Sequence, residues 1–291
     1  MPTAQPNTGS DLKSAPNREA RSRPFIGVWY LIARVLPAPL KRAIQANRLL
    51  SRCVMSTYDT LTSGAVVSIE SGCLSGMRLV SGKHVSHAHV AGDYEREVQD
   101  VLHRHISEHD ICYDVGASIG YMSLLMAKFG AFVYAFRPAP HAAEQIRLQL
   151  SANDLDNYEI TPAPVSSDVR RVRFCVTDVA YGSAINETET RWPVLELETT
   201  TLDLFAQANR PPDFIKIDAE GEEARVLRGA ENLLTTKRPI ICCELHDEAV
   251  ARQVLEILSG HDYAVDSIDG NSIDPGERAE SGPFHIVAMP R

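Results

Sequence analysis

The sequence predicts an α/β fold with a mainly parallel, doubly wound sheet. Two observations carry this prediction. Short apolar runs of strand length alternate along the chain with segments whose apolar residues recur at helical spacing. Several of the apolar runs are continuous rather than alternating, which is typical of parallel strands covered on both faces. The runs of this kind are residues 111–115, 131–136, 213–217 and 239–245.

The first 64 residues are expected to lie outside this sheet. Residues 1–23 are rich in Pro, Ser, Asn and Arg, lack periodic apolar positions, and are predicted to be a disordered tail. Residues 24–64 are predicted to be a helical arm, because apolar residues crowd together at its start and basic residues follow. Two roles stay open for residues 24–48: peripheral contact with a membrane surface, or packing on the domain or on the second subunit of a homodimer. Packing is favoured, because apolar stripes are usually buried in protein.

Residues 65–110 are predicted to be a hairpin and a lead-in helix. Loosely alternating apolar residues with glycines between them, from Val66 to Leu79, are hairpin signals. A helix is predicted from Glu95 to His105, with its apolar residues on one face. This helix leads directly into the α/β domain, which is predicted to span residues 111–291.

The first strand of the domain ends in a glycine turn that opens a helix. The spacing is Asp114-x-Gly116-x-x-x-Gly120. It is not the dinucleotide pattern, because Ser118 stands where the middle glycine would be, and it is not a P-loop, because no Gly-Lys-Ser/Thr follows. Glycine lets the backbone approach a ligand closely, and the start of a helix offers free N–H groups. An acidic residue at the strand end suits a ligand with hydroxyls or a positive charge, such as S-adenosylmethionine, better than a pyrophosphate.

The remaining elements continue the alternation. Further strands are predicted at residues 158–165, 263–268 and 284–289, the first of them short or at an edge because it contains Pro162 and Pro164. Residues 171–176 are predicted to be part of a hairpin, and residues 181–198 to be loop-rich. Helices are predicted to start near residues 141 and 200, after Gly221 and after His246.

The composition limits the class of protein. Of 291 residues, 44% are hydrophobic and 23% are charged, as in ordinary soluble globular proteins. The net charge of −9 argues against a nucleic-acid binder that relies on a basic surface. The six cysteines include no C-x-x-C pair and resemble small buried hydrophobic residues. Cys242 and Cys243 are expected to lie on opposite faces of a strand. Cysteines of this kind fit the reducing environment of the cytoplasm. No apolar run reaches the ~18 residues needed to span a membrane.

Charged side chains stand at the carboxyl ends of the predicted strands, where open α/β sheets bind ligands. His246 is the leading candidate for a general base, since it follows a strand and titrates near neutrality; the alternative is a helix-start residue bonded to the backbone. Asp218 or Glu220 could orient His246 or take the proton, and Lys216 is expected to pair with a carboxylate. No metal is predicted, because Asp218, Glu244 and His246 lack the tight spacing of a metal motif.

Seven short motifs resemble, in order and spacing, those of the FkbM-type methyltransferases, a class I S-adenosylmethionine-dependent family. The match covers roughly residues 65–250. Its most specific part is the Lys-Ile-Asp-x-Glu-Gly block followed by Leu-x-Gly-Ala. The motifs are Asp93-Tyr-Glu95, Asp114-Val-Gly-Ala-Ser-Ile-Gly120, Ala135-Phe-Arg-Pro138, Thr200-Thr-Leu-Asp203, Lys216-Ile-Asp-Ala-Glu-Gly221, Leu227-Arg-Gly-Ala230, and Arg238-Pro239 through Glu244-Leu-His246.

The resemblance implies a Rossmann-like sheet of seven strands with the last antiparallel. It also implies methyl transfer from S-adenosylmethionine to a hydroxyl, often on a sugar, polyketide or other secondary metabolite. The cofactor-binding candidates are Glu95, Asp114, Gly116, Ala117, Ser118, Gly120, Arg137 and Asp218. The catalytic candidates are His246, Asp218 and Glu220.

Three positions depart from the family pattern. Ser118 stands where the family usually has Asn, and Pro164 where it usually has Ala. Arg137 stands where the family has a Glu that accepts hydrogen bonds from both ribose hydroxyls, and Arg can only donate. Losing such a charged interaction would cost on the order of 1.5–3 kcal/mol, about one to two decades in affinity. Arg137 could instead pair with a carboxylate, bind a phosphate as in NADP sites, or be tolerated with water or another side chain at the ribose.

The predicted function is S-adenosylmethionine-dependent O-methylation of a small-molecule or glycan acceptor. A non-enzyme alternative, supported by Arg137, is a methyltransferase-like binding or scaffold module with a degenerate cofactor site. An NADP-dependent oxidoreductase is a weaker alternative, because the spacing around Ser118 and Gly120 departs from the dinucleotide pattern. Acceptor specificity is expected from the loop at residues 177–198 and from the N-terminal arm.

Overall fold

A computed structural model describes residues 64–82, 84–176, 193–271, 273 and 283–291. The tail predicted for residues 1–23 and nearly all of the arm predicted for residues 24–64 lie outside these ranges, as does most of the loop at residues 177–198. The division of the chain into tail, arm, lead-in segment and α/β domain stays a prediction. Among the described residues, no helix combines the length and the apolar character that crossing a bilayer requires.

Helices and strands alternate as the sequence predicts. The strands are β1 (Val66–Ser68), β2 (Arg78–Val80), β3 (Ile111–Val115), β4 (Phe132–Phe136), β5 (Tyr158–Thr161), β6 (Arg171–Cys175), β7 (Val194–Glu198), β8 (Phe214–Ile217), β9 (Ile240–Leu245), β10 (Tyr263–Ser267) and β11 (Phe284–Pro290). The helices are α1 (His87–Ala91), α2 (Arg96–His105), α3 (Tyr121–Lys128), α4 (Pro140–Ser151), α5 (Leu202–Ala208), α6 (Glu223–Arg228), α7 (Glu231–Thr236) and α8 (Glu248–Gly260).

Seven strands form one sheet in the order β10-β11-β9-β8-β3-β4-β5. The strands from β9 to β5 are parallel neighbours, and β11 runs antiparallel to both β9 and β10. The predicted doubly wound α/β class, with seven strands and the last antiparallel, is confirmed. The chain moves from β3 outward to β5 and then returns to place β8 on the other side of β3. The strand order therefore reverses between β3 and β8, where ligands bind in sheets of this kind.

Helices cover both faces of the sheet, which explains why its central strands are continuous apolar runs. Cys112 and Cys242 pack in the core beneath α2, α3 and α4. Tyr113 and Cys243 pack in the opposite core, beneath α6, α7 and α8. Since neighbours along a strand point to opposite faces, the predicted placement of Cys242 and Cys243 is confirmed.

The predicted first hairpin is formed by β1 and β2, which pair antiparallel. One buried side chain of α4, Gln149, joins this hairpin to the domain. Its Oε1 accepts a hydrogen bond from the backbone N–H of Val80 at 2.7 Å, and its Nε2 donates to the Val80 carbonyl at 2.9 Å. Both backbone groups of Val80 are thereby satisfied in a buried setting.

The strand predicted over residues 158–165 is short and lies at the edge, as its prolines require. Two other expectations need correction. Residues 194–198, expected to be part of a loop, form β7 and pair antiparallel with β6. The helix expected after Gly221 is split into α6 and α7. The Asp203 carboxylate accepts hydrogen bonds from the backbone N–H groups of Asn232 and Leu233, both at 2.9 Å, and so caps the start of α7.

Candidate active site

The carboxyl ends of β3, β4, β8 and β9 meet at one edge of the sheet, because these strands are parallel neighbours. Each end contributes predicted site residues. Asp114 and Gly116 close β3, and Arg137 follows β4. Asp218 follows β8, and His246 follows β9. The sheet thus gathers positions that are far apart in sequence.

The turn after β3 approaches the end of β8 so closely that its first residue must be glycine. Gly116 has a φ of 82°, and a Cβ on this residue would lie 1.7 Å from the carbonyl oxygen of Asp218. Ser118 has a left-handed φ of 47°, and Gly120, with a φ of 87°, precedes the first turn of α3. The predicted arrangement of strand, glycine turn and helix is therefore present. Its backbone adopts left-handed conformations that are unfavourable for residues other than glycine.

Two carboxylates, one buried and one partly exposed, lie beside this turn. Asp114 is fully buried; its Oδ2 accepts a hydrogen bond from Ser123 Oγ at 2.5 Å, and its Oδ1 has no hydrogen-bond partner among the described residues. Burial raises the pKa of Asp114, against the opposing effects of Lys216 and Ser123. Glu95, at a φ of 43°, likewise has a buried Oε2 without a hydrogen-bond partner in the described part of the chain. Burial raises the pKa of Glu95, and Lys216 again opposes the shift.

Lys216 is the buried cation between these carboxylates. Its Nζ lies 3.3 Å from Asp218 Oδ2, so the expected pairing with a carboxylate is confirmed. Burial alone would lower the pKa of Lys216, but Asp218, Asp114 and Glu95 raise it above its ordinary value. Burial alone would raise the pKa of Asp218, yet Lys216 and His246 hold it below its usual range. Lys216 therefore stays charged and keeps Asp218 ionised.

Two adjoining clefts run along the strand ends. The turn cleft, of about 280 Å³ including the part open to solvent, is lined by Glu95, Asp114, Ala117, Ser118 and Lys216, among others. The Arg137 cleft, of about 480 Å³ on the same basis, is lined by Phe136, Arg137, Pro164, Phe174 and Glu220, among others. Gly116 and Asp218 line both. Arg137 is only 7% exposed and forms part of the wall.

His246 is fixed by a hydrogen bond to a buried carboxylate. Its Nδ1 lies 2.9 Å from Oε1 of Glu223, which is completely buried. The same oxygen accepts hydrogen bonds from the backbone N–H groups of Ala219 and Gly221 at 3.2 and 3.0 Å. The alternative in which His246 is a helix-start residue bonded to the backbone is wrong, because its Nδ1 meets the Glu223 side chain, and Asp247 caps α8 by accepting a hydrogen bond from the Val250 N–H at 2.9 Å.

The other nitrogen of His246 faces three carboxylates. Its Nε2 lies 3.5 Å from Glu220 Oε2, 3.7 Å from Asp218 Oδ1 and 4.0 Å from Glu244 Oε1. Burial alone would lower the pKa of His246, but its hydrogen bond to Glu223 and the surrounding carboxylates raise it to about 9. Burial and the nearby Asp218 raise the pKa of Glu244 to about 8. At neutral pH both His246 and Glu244 therefore hold a proton.

Three residues of the site were not singled out from the sequence. Glu223, which orients His246, follows the strand–turn block without any distinguishing pattern. His285 of β11 lies opposite Glu244 of β9 in the antiparallel register, with its Nε2 3.5 Å from Glu244 Oε2. Burial, aided by Lys216, lowers the pKa of His285 to about 4. His89 of α1 lines the turn cleft and stacks on Tyr94 at 3.9 Å.

Three of the solved structures that resemble the chain are the FkbM methyltransferase of Methylobacillus flagellatus KT, the precorrin-6y C5,15-methyltransferase of Geobacter metallireducens GS-15, and SMU.1697c of Streptococcus mutans in complex with SAH. They share 15%, 14% and 13% identity with it, each with a TM-score of 0.42. The alignments cover 70%, 67% and 66% of this chain, and 53%, 88% and 94% of the other chains.

No curated protein matches the chain. The model of one protein family, described as the methyltransferase FkbM domain, matches residues 114–265. This match begins at Asp114 in β3, includes the ends of β4, β8 and β9, and extends into β10. Since it spans more than half of the residues, the chain belongs to the FkbM methyltransferase family.

Proposed function

We propose that the protein transfers a methyl group from S-adenosylmethionine to a hydroxyl of a sugar, glycan or secondary-metabolite acceptor. Membership of the FkbM methyltransferase family supports methyl transfer. The observation that carries the rest is the position of Asp218, which lines both clefts and also lies 3.7 Å from His246 Nε2. A cofactor in the clefts would therefore lie beside a group able to take a proton.

The turn cleft fits the charged part of this cofactor. The free oxygens of Asp114 and Glu95 are buried acceptors without a partner in the described residues, and a cation or an ammonium donor would satisfy them. Gly116, Ala117, Ser118 and Gly120 form the turn that would hold the ligand close to the backbone. When bound, S-adenosylmethionine supplies a methyl group on a positively charged sulfur.

The acceptor hydroxyl must lose a proton as its oxygen gains the methyl group. His246 Nε2 and Glu220 Oε2, 3.5 Å apart, are the groups proposed to receive it, with Glu223 orienting His246 and Asp218 stabilising its charge from 3.7 Å. A pKa of about 9 keeps His246 protonated at neutral pH in the free protein. A positively charged cofactor nearby would lower that pKa, because like charges disfavour protonation. Cofactor binding thus prepares the base.

Isothermal titration calorimetry with S-adenosylmethionine and S-adenosylhomocysteine tests the proposal. We expect both to bind, and we expect Asp114→Asn to weaken binding at least about tenfold, because the buried acceptor loses its charge. Asp266→Asn is the matched control: it removes the same charge from an exposed position on β10 and should leave affinity unchanged.

The absence of binding at millimolar ligand by the folded protein would remove the proposal. Together with the absence of co-purified S-adenosylhomocysteine in a mass spectrum, it would favour the binding or scaffold module. The buried Arg137 in the cleft wall is the observation that keeps this alternative in view.

A further inference from the structure

We infer that Asp218, Glu244 and His246 form a site for one divalent transition-metal ion. Each residue offers a ligand atom, and these atoms all lie within 4.8 Å of one another. The separation of the three residues along the chain argues against a metal motif in the sequence. Parallel pairing of β8 with β9 removes that argument, since it places the residue after β8 beside the end of β9.

The orientation of His246 is the one that a metal ligand needs. Its Nδ1 is engaged by the buried Glu223 at 2.9 Å, so Nε2 is the nitrogen turned toward Asp218 and Glu244. Metal-binding histidines almost always place their second nitrogen against a carboxylate or carbonyl in this way, which sets the tautomer and the ring plane. A metal ion that displaced the Nε2 proton would leave the other proton on Nδ1, where Glu223 accepts it, and the Nε2 lone pair would then be free to bind the ion.

The distances fit a shared ion better than direct hydrogen bonds. Nε2 lies 3.7 Å from Asp218 Oδ1 and 4.0 Å from Glu244 Oε1, and both exceed hydrogen-bonding range. Two ligands that are each about 2.1 Å from one metal are about 3.0 to 3.4 Å apart at angles between square and tetrahedral. The two sides that join His246 to the carboxylates would have to shorten by several tenths of an ångström for the site to close around an ion.

The second oxygen of each carboxylate already faces a nitrogen. Asp218 Oδ2 accepts a hydrogen bond from Lys216 Nζ at 3.3 Å, and Glu244 Oε2 lies 3.5 Å from His285 Nε2. Asp218 and Glu244 therefore keep Oδ1 and Oε1 directed at the proposed ion. Their side chains are 14% and 17% exposed, which leaves a path for the ion to enter from solvent.

The ligand set indicates the class of ion. One imidazole with two carboxylates suits Mn²⁺ or Zn²⁺ better than Ca²⁺ or Mg²⁺, which prefer oxygen ligands. Three protein ligands leave coordination positions open, as catalytic sites do. The role of the ion rests on the proposed function: it would hold the acceptor oxygen beside the Arg137 cleft. His246 would then be a ligand, and the acceptor's proton would pass to the carboxylate of Glu220.

Electron paramagnetic resonance titration with Mn²⁺, on the full chain freed of metal with EDTA and without cofactor, tests the site. We expect one Mn²⁺ per chain, displaced by Zn²⁺. His246→Ala and Glu244→Gln should each raise the dissociation constant for Mn²⁺ at least about tenfold. Glu222→Gln is the matched control: it removes a carboxylate that pairs with Arg225 and Ser166 instead, and it should change the constant less than about twofold.

Failure of wild-type protein to bind millimolar Mn²⁺ and Zn²⁺ overturns the inference. Binding that survives in whichever of the two ligand variants remain folded by circular dichroism overturns it as well, because the ion then lies elsewhere. Titration of metal-free protein with S-adenosylhomocysteine separates this result from the proposed function. If S-adenosylhomocysteine binds and Mn²⁺ does not, only the metal site is removed. If Mn²⁺ binds and S-adenosylhomocysteine does not, only the cofactor site is removed.

Discussion

Arg137 occupies the position at which the family resemblance leads us to expect a ribose-binding Glu. It is nearly buried, in the wall of the cleft, and its positive charge interacts favourably with Asp218 and Glu220. Of the roles left open by the sequence, pairing with neighbouring carboxylates is therefore supported by the surroundings of this side chain. Any substitution here changes two things at once: the acceptor offered to a ribose and the charge balance beside Asp218.

We expect Arg137→Glu to tighten S-adenosylhomocysteine binding by about tenfold, because Glu can accept hydrogen bonds from both ribose hydroxyls. Repulsion from Asp218 and Glu220 opposes this gain. Arg137→Met is the control, since it removes the positive charge without adding an acceptor. By calorimetry, Arg137→Glu should bind S-adenosylhomocysteine more tightly than wild type. Arg137→Met should bind it no more tightly than wild type. Unchanged or weaker binding by the Glu variant would mean that Arg137 does not occupy the ribose position.

The His246 cluster predicts a stability that falls as pH rises. The folded-state pKa of His246 is about 9 against an ordinary value of 6.5, and that of Glu244 is about 8 against 4.5. Both folded-state pKa values are raised, so the folded protein holds protons that the unfolded chain releases, and stability is lost as pH climbs through the folded values. We expect the free energy of unfolding of metal-free protein to fall by on the order of 3–5 kcal/mol between pH 6 and pH 9, since one unit of pKa shift corresponds to about 1.4 kcal/mol.

Urea unfolding at pH 6 and pH 9 measures this loss. His246→Gln keeps a polar side chain but cannot take up a proton, so the free energy of unfolding of this variant should fall by about half as much across the same interval, with the remaining loss due to Glu244. A wild-type stability that is flat from pH 6 to pH 9, or a variant with the same slope as wild type, would contradict the charge balance described for the cluster.

At the scale of elements, the turn between β3 and α3 is defined by close approach as much as by backbone conformation. A Cβ at Gly116 would meet the Asp218 carbonyl oxygen at 1.7 Å, and the φ of 82° is itself unfavourable for other residues. Gly76 separates the two contributions, because its φ is 81° but no atom lies within 4 Å of an added Cβ.

We expect Gly76→Ala to lower the free energy of unfolding by about 1 kcal/mol, the cost of the left-handed backbone alone. Gly116→Ala should lower it by more than about 2 kcal/mol, since the turn must also move away from β8. The same movement should abolish measurable S-adenosylhomocysteine binding. Urea denaturation gives both stabilities; equal losses in the two variants would show that the contact with Asp218 contributes nothing.

At the scale of the whole molecule, two apolar cores share one sheet, and the candidate site lies across the strand ends that join them. A ligand held at those ends contacts segments of both halves and should stabilise the domain as a unit. S-Adenosylhomocysteine at 100 times its dissociation constant would raise the free energy of unfolding by about 2.7 kcal/mol. For a domain of this size, that corresponds to a rise in melting temperature of roughly 5–10 °C.

Differential scanning fluorimetry measures the rise, and NADPH serves as the comparison ligand. We expect no comparable shift with NADPH, because Ser118 breaks the dinucleotide spacing of the glycine turn. A shift with NADPH and none with S-adenosylhomocysteine would favour the oxidoreductase alternative instead.

The sequence by itself determined the features that local chain chemistry controls. Apolar runs of strand length predicted every strand of the main sheet, and the spacing from Asp114 to Gly120 predicted the turn that lines a cleft. Motifs in order identified the family. Local patterns were less informative where tertiary contacts compete with them: β7 became a strand by pairing with β6, and the Asp203 carboxylate divided one expected helix into α6 and α7.

Only the tertiary structure decided which side chains meet. Glu223 and His246 are 2.9 Å apart, and Asp218, Glu244 and His246 converge, because two parallel strands end side by side. His285 joins them from an antiparallel strand inserted next to β9. No spacing in the chain encodes these contacts, since strand adjacency is set by packing across the sheet. The charge balance that raises one pKa and lowers another follows from that adjacency and from burial.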